Sequence, residues 1–64
     1  MVQINGRSEP VAGQTLTAYL LSHSYDPQRL AVEINEAIVP KRLYGETVLQ
    51  DGDRVEIVSF VGGG

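Results

Sequence analysis

Three residues without side chains, Gly62-Gly63-Gly64, follow the apolar Phe60-Val61 at the end of this 64-residue sequence. Among the groups the chain offers, the α-carboxylate of Gly64 is the one open to activation. It sits on a carbon with no substituent. Its neighbours are equally bare, so they pass through a slot that any Cβ would block. Extended, three residues reach about 10 Å. A compact head docked on a partner can therefore thread this end into a buried active site. There ATP could convert an inert carboxylate into an acyl-adenylate, and a nucleophile could attack the activated carbonyl. Splitting a difficult transfer into easier steps is how covalent activation works. Glycine also ends many chains as a frayed terminus or an engineering scar, so the reading depends on the head that carries it.

The other polar residues carry less chemistry. The chain has no cysteine, which excludes disulfides, thiolate metal sites and a thiol nucleophile. His23 is the single histidine. It falls at the end of a predicted helix, where a cation favours the dipole, and it has no companions at metal-ligand spacing. Asp51-Gly52-Asp53 lacks the long loop and closing glutamate of a calcium site and reads as a turn. Thr15, Thr17, Ser22 and Ser24 have no base partner and read as caps or solvated hydroxyls. Glu33, Glu36, Glu46 and Glu56 read as a solvated face, or as a match for a basic rim on a partner, where they would act mainly on the association rate. With no acid–base pair or nucleophile to name, the chain is expected to be a substrate of enzymes and not an enzyme. It is expected to bind no metal and no cofactor of its own.

The head that presents the tail is small. One domain is the most that 64 residues allow, and its single core is marginal. At 42% apolar residues the chain is too hydrophobic to be disordered. Its net charge of −3 and pI near 4.8 repel phosphate backbones and anionic lipid. Nucleic acid and membranes are therefore poor partners, and a basic protein is a better one. No apolar run is long enough to span a bilayer. The N-terminal residues show no signal-peptide pattern, so a cytoplasmic location is expected.

Periodicity places the elements. Val2 and Ile4 alternate with Gln3 and Asn5 as in a half-buried strand, and Asn5-Gly6 is a hairpin signal. The return strand is expected over Ser8 to Val11, at a sheet edge because Pro10 removes a donor. Thr15 reads as the N-cap of a short helix with Leu16, Tyr19 and Leu20 on one face. Leu30 to Ile34 reads as a strand with Val32 and Ile34 inward. Asn35-Glu36 turns the chain into Ala37-Ile38-Val39, which Pro40 stops. Lys41 to Gly45 is irregular, with room for one helical turn. After the Asp51-Gly52-Asp53 turn, the last strand runs from Arg54 to Val61, with Val55, Ile57 and Val61 on one face and Glu56, Val58 and Phe60 on the other. One helix covering one face of a mixed sheet is the α+β solution. The helix supplies the crossover that a parallel pairing of first and last strands needs. The expected fold is a β-grasp, or ubiquitin-like, domain over residues 1–61, with a flexible glycine tail at 62–64.

Ala31-Val32-Glu33-Ile34-Asn35-Glu36-Ala37-Ile38-Val39-Pro40, Asp51-Gly52-Asp53 before the last strand, and the terminal Gly63-Gly64 stand together in this chain. In these features, in length and in order of elements, the sequence resembles the ubiquitin-like sulfur carrier proteins, most closely those of thiamine biosynthesis. The first stretch is similar to that family's Ala-x-x-x-Asn-x-x-Ile-Val-Pro pattern. The family needs only the glycine pair, so Gly62 is an addition. The resemblance implies that an adenylating enzyme of the ubiquitin-activating type uses ATP to adenylate Gly64. It further implies that a sulfur-relay protein supplies a persulfide that turns Gly64 into a thiocarboxylate, and that a thiazole synthase takes the sulfur. Gly62 and Gly63 would then thread into the partner's active site. Val58 and Phe60, on the outer face just ahead of the tail, would dock the head. Other functions open to the same head are the small subunit of molybdopterin synthase, a β-grasp binding module with an inert tail, and an isopeptide-forming modifier.

Overall fold

Val2 and Ile4 are buried and Gln3 is exposed in the first strand, β1 (Val2–Ile4), as the alternation requires. The structure is a computed structural model and describes residues 1–60. Asn5 and Gly6 both adopt positive φ, +50° and +84°. They form a tight turn that pairs Ile4 with Arg7 at once. The return strand β2 (Arg7–Glu9) therefore starts earlier than Ser8 and stops at Glu9, because Pro10 has no N–H to continue the ladder. Val11, expected to end that strand, leaves the sheet and fills the core instead.

Thr15 caps the helix α1 (Leu16–Ser22) by accepting the Ala18 N–H at 3.1 Å. The helix buries Leu16, Tyr19 and Leu20. Its C-terminus closes through Ser24 at φ +64°. The Ser24 N–H donates to the Leu21 carbonyl and the Tyr25 N–H to the Leu20 carbonyl, at 3.2 and 2.9 Å. This is a Schellman closure with serine where glycine is usual. A short 3-10 turn over Pro27–Arg29 leads into β3 (Leu30–Ile34). Asn35 and Glu36 form a second tight turn of positive φ, +52° and +70°, into β4 (Ala37–Ile38). Val39 lies past that strand but still donates to the Val32 carbonyl. Lys41–Leu43 makes one 3-10 turn. The last strand, β5 (Arg54–Ser59), runs up the middle of the sheet.

The described residues form a five-stranded mixed sheet in the order β2-β1-β5-β3-β4. β5 is parallel to β1 and antiparallel to β3. The two antiparallel hairpins flank it, and α1 crosses one face. The core between helix and sheet contains Val2, Ile4, Leu16, Tyr19, Leu20, Leu30, Val32, Tyr44, Leu49, Val55 and Ile57. The expected ubiquitin-like β-grasp is the fold observed. The final four residues, Val61 to Gly64, lie outside the described residues, and so does the expected division of the chain at residue 61.

The Tyr19 hydroxyl is buried and donates to both oxygens of Glu9, at 3.2 and 3.3 Å. Burial, and then the Glu9 carboxylate beside it, push the Tyr19 pKa up to about 12, against about 10 when unfolded. A raised folded pKa stabilises the protein fully below pH 10, and that stability is lost as pH rises through 12. The expected loss from Tyr19 by pH 12 is on the order of 2 to 3 kcal/mol. Urea midpoints at pH 9 and pH 11.5 check it: the drop between them should be smaller in Tyr19→Phe than in the unsubstituted protein.

Candidate functional site

The strand that leads to the glycine tail is central because both its edges are satisfied. On one side it pairs with β3 over five registered positions, Leu30↔Ser59 to Ile34↔Val55. The Phe60 N–H continues that side, donating to the Arg29 carbonyl at 2.7 Å. On the other side β1 reaches only Gln3↔Arg54 and Ile4↔Val55 before it turns away. Strand alternation then sorts the side chains. Val55 and Ile57 enter the core, and Val58 and Phe60 point out of the opposite face at 58% and 57% exposure.

Register builds the rest of that outer face. Val58 lies opposite Ala31, and Glu56 opposite Glu33. Glu33 lies in turn opposite Ile38, which is 74% exposed. The face is therefore an apolar strip, Phe60 and Val58, beside a pair of facing carboxylates and the apolar Ile38. Like charges directly opposite in a sheet repel. Among the described residues neither Glu33 nor Glu56 has a salt-bridge partner. The expected outward position of Val58 and Phe60 is observed. Ile38 belongs to the same face and was not singled out from the sequence, although strict alternation from Glu33 through the Asn35-Glu36 turn leads to it.

Two asparagines hold the central strand from its two sides. The Ile57 N–H donates to Asn5 Oδ1 at 2.8 Å, and Asn5 Nδ2 donates back to the Ile57 carbonyl at 3.3 Å. On the opposite side the Arg54 N–H donates to Asn35 Oδ1 at 3.0 Å, and Asn35 Nδ2 donates to Asp53 Oδ1 at 3.0 Å. Asp53 Oδ2 also accepts from the Gln50 N–H at 2.9 Å, so the Asp51-Gly52-Asp53 segment is the turn expected. Asp51 pairs with the N-terminal ammonium of Met1.

His23 is the C-cap of α1. It stacks on the Tyr19 ring with centroids 4.1 Å apart, and its Nδ1 lies 3.0 Å from the Tyr19 carbonyl oxygen. Its Nε2 is 3.7 Å from Glu9 Oε1. These contacts place it in a helix-end cluster, on the other side of the sheet from Val58 and Phe60. Among the described residues no three His, Asp or Glu side chains come together as a metal site would need. No helix among them is long and apolar enough to cross a membrane. The tail residues expected to be modified or threaded, Gly64, Gly63 and Gly62, lie outside the described residues.

The family model of the ThiS family matches residues 2–64. The chain belongs to the ThiS family. The sulfur carrier protein ThiS of Bacillus subtilis is 41% identical to it over 66 residues, covering the whole of both chains. The crystal structure of the thiamine biosynthesis protein ThiS from Geobacter metallireducens superposes with a TM-score of 0.76 at 25% identity, over 98% of this chain and 97% of that one. A thiazole synthase of Magnetococcus marinus is 41% identical over 64 residues, which are 98% of this chain and 20% of that protein. The chain thus spans about a fifth of that relative. The resemblance drawn from the sequence is borne out. As a member of the ThiS family the chain is a sulfur carrier of thiamine biosynthesis and not a catalyst.

Proposed function

We propose that sulfur is carried on the C-terminal carboxyl of Gly64. The carboxylate attacks the α-phosphorus of ATP in the active site of a ubiquitin-activating-type adenylyltransferase. Pyrophosphate leaves and an acyl-adenylate remains. A persulfide on a sulfur-relay protein attacks the carbonyl and expels AMP. A thiol then cleaves the sulfur–sulfur bond, leaving a thiocarboxylate on Gly64 and a disulfide. A thiazole synthase takes the sulfur, with the thiazole ring as its destination. The chain binds no cofactor in this scheme, since ATP belongs to the partner, and a cytoplasmic location is consistent with the absence of a signal-peptide pattern in its N-terminal residues. Gly62 and Gly63 pass through the partner's slot because they lack Cβ atoms.

One observation carries the reading: two large apolar side chains, Val58 on β5 and Phe60 just past its end, stand exposed immediately ahead of the tail. Docking on that face brings the tail with it. The thiazole synthase relative that contains a match to nearly all of this chain supports thiazole synthase as the acceptor, and favours it over molybdopterin synthase. The test is intact mass after incubation with ATP, the adenylating enzyme and a sulfide source. Replacement of one oxygen by sulfur supports the carrier. An adduct to a lysine points instead to a modifier, and no change across a panel of activating enzymes points to a binding module.

Phe60→Ala should weaken binding to the adenylating enzyme by about 2 kcal/mol, roughly thirtyfold in Kd, while leaving the melting temperature unchanged. Calorimetric titration beside a thermal melt separates the two effects. Unchanged binding with a collapsed fold would place Phe60 in the core and refute the docking role.

A further inference from the structure

The β1–β2 hairpin turns away from the central strand too early. β1 pairs with β5 only through Val55, and the Asn5 N–H makes the last main-chain bond on that side, to the Val55 carbonyl at 2.9 Å. The next rung belongs at Ile57, where β1 has no residue left. Asn5 supplies it with its side chain. The amide oxygen and nitrogen meet the N–H and carbonyl of Ile57 as a strand neighbour would. Asn5 can do this because the turn holds it at φ +50°, a conformation asparagine tolerates.

Resting on the carrier reading above, we propose that Asn5 is a positioning residue for loading of the tail: its amide holds Ile57 and thereby fixes the direction in which β5 leaves the sheet. Val58 and Phe60 both follow Ile57. Without the amide, the end of β5 is held from the β3 side alone. From Ile57 to Phe60 the extended backbone spans about 10 Å. A swing of about 10° at Ile57 would move the point where the tail departs by roughly 2 Å, and displacement of about 1 Å is enough to slow a positioned reaction a hundredfold.

The fold contains its own control. Asn35 occupies the same place in the other hairpin turn, at φ +52°. Its amide oxygen accepts from the same strand, but at Arg54, the end remote from the tail. Glycine preserves the positive φ at either position and removes only the amide. Both substitutions should therefore lower stability, and only one should disturb the exit of the strand.

The experiment measures ATP-dependent adenylation by the adenylating enzyme of the same genome, well below the melting temperature of each variant. Asn5→Gly should lower kcat about tenfold or more with KM changed less than about threefold, a loss expressed after docking. Asn35→Gly should stay within about twofold of the unsubstituted protein. Asn5→Asp keeps the acceptor for the Ile57 N–H and should recover part of the rate. Amide exchange, which needs no enzyme, should show lost protection at Ile57 in Asn5→Gly and not in Asn35→Gly. Equal kcat losses in the two glycine variants, or no loss in Asn5→Gly, would overturn the proposal. If the unsubstituted chain is never adenylated, the carrier reading fails instead, and unchanged protection of Ile57 in Asn5→Gly would still refute the role of Asn5.

Discussion

Removal of Gly64 should reduce sulfur loading by two orders of magnitude or more while leaving the melting temperature where it was. The truncated chain still ends in a glycine pair, Gly62-Gly63, so the variant tests reach and not composition. One residue fewer draws the carboxylate back by about 3.5 Å, far more than the roughly 1 Å that costs a hundredfold in a positioned reaction. The folded head should not register the change. Among the described residues the core reaches no later than Ile57. The last described main-chain bond of the β5 segment is at Phe60. Loading assayed by intact mass, beside a thermal melt, checks both halves. A truncated chain that loads at the full rate would mean that the partner does not measure the tail from the docked head.

Leu20→Ala should do the reverse and destroy the head while leaving the carboxylate chemically intact. Leu20 has no exposed surface and sits on α1 between sheet and helix. Truncating such a leucine costs about 3 kcal/mol, from lost burial and from the cavity left behind. A chain this short has a total stability of only a few kcal/mol. The substituted protein should therefore be largely unfolded at 37 °C by circular dichroism. Loading should fall in proportion to the folded fraction, because an unfolded chain has no docking face. Normal loading of unfolded Leu20→Ala would show that the tail alone is recognised.

Much of this architecture was legible in the sequence because its signals are local. Asn5-Gly6 and Asn35-Glu36 gave the hairpin turns, Thr15 gave the start of the helix, and alternation along Arg54 to Phe60 separated a core face from an exposed one. The end of α1 falls at His23 as the sequence implies, although its Schellman closure uses Ser24 where glycine is usual. The return strand begins before Ser8 because a tight turn restores pairing at Arg7 at once. What could not be read was tertiary. Asn5 and Asn35 are ordinary turn residues until β5 lies beside them, and only then do their amides replace missing rungs. The Glu9–Tyr19–His23 cluster is similarly assembled from a strand edge and a helix end, with no periodicity to announce it. In the candidate site, Val58 and Phe60 followed from strand alternation, whereas Ile38 required the register of three strands.

The central claim is that the free end of the polypeptide is the working group and the β-grasp head presents it. Fragmentation of the sulfur-loaded protein in the mass spectrometer tests this most directly. The sulfur-for-oxygen mass difference should reside in C-terminal fragments alone and narrow to Gly64. The same difference found on any fragment that lacks Gly64, or retained when the Gly64 carboxyl is capped as an amide, would contradict it.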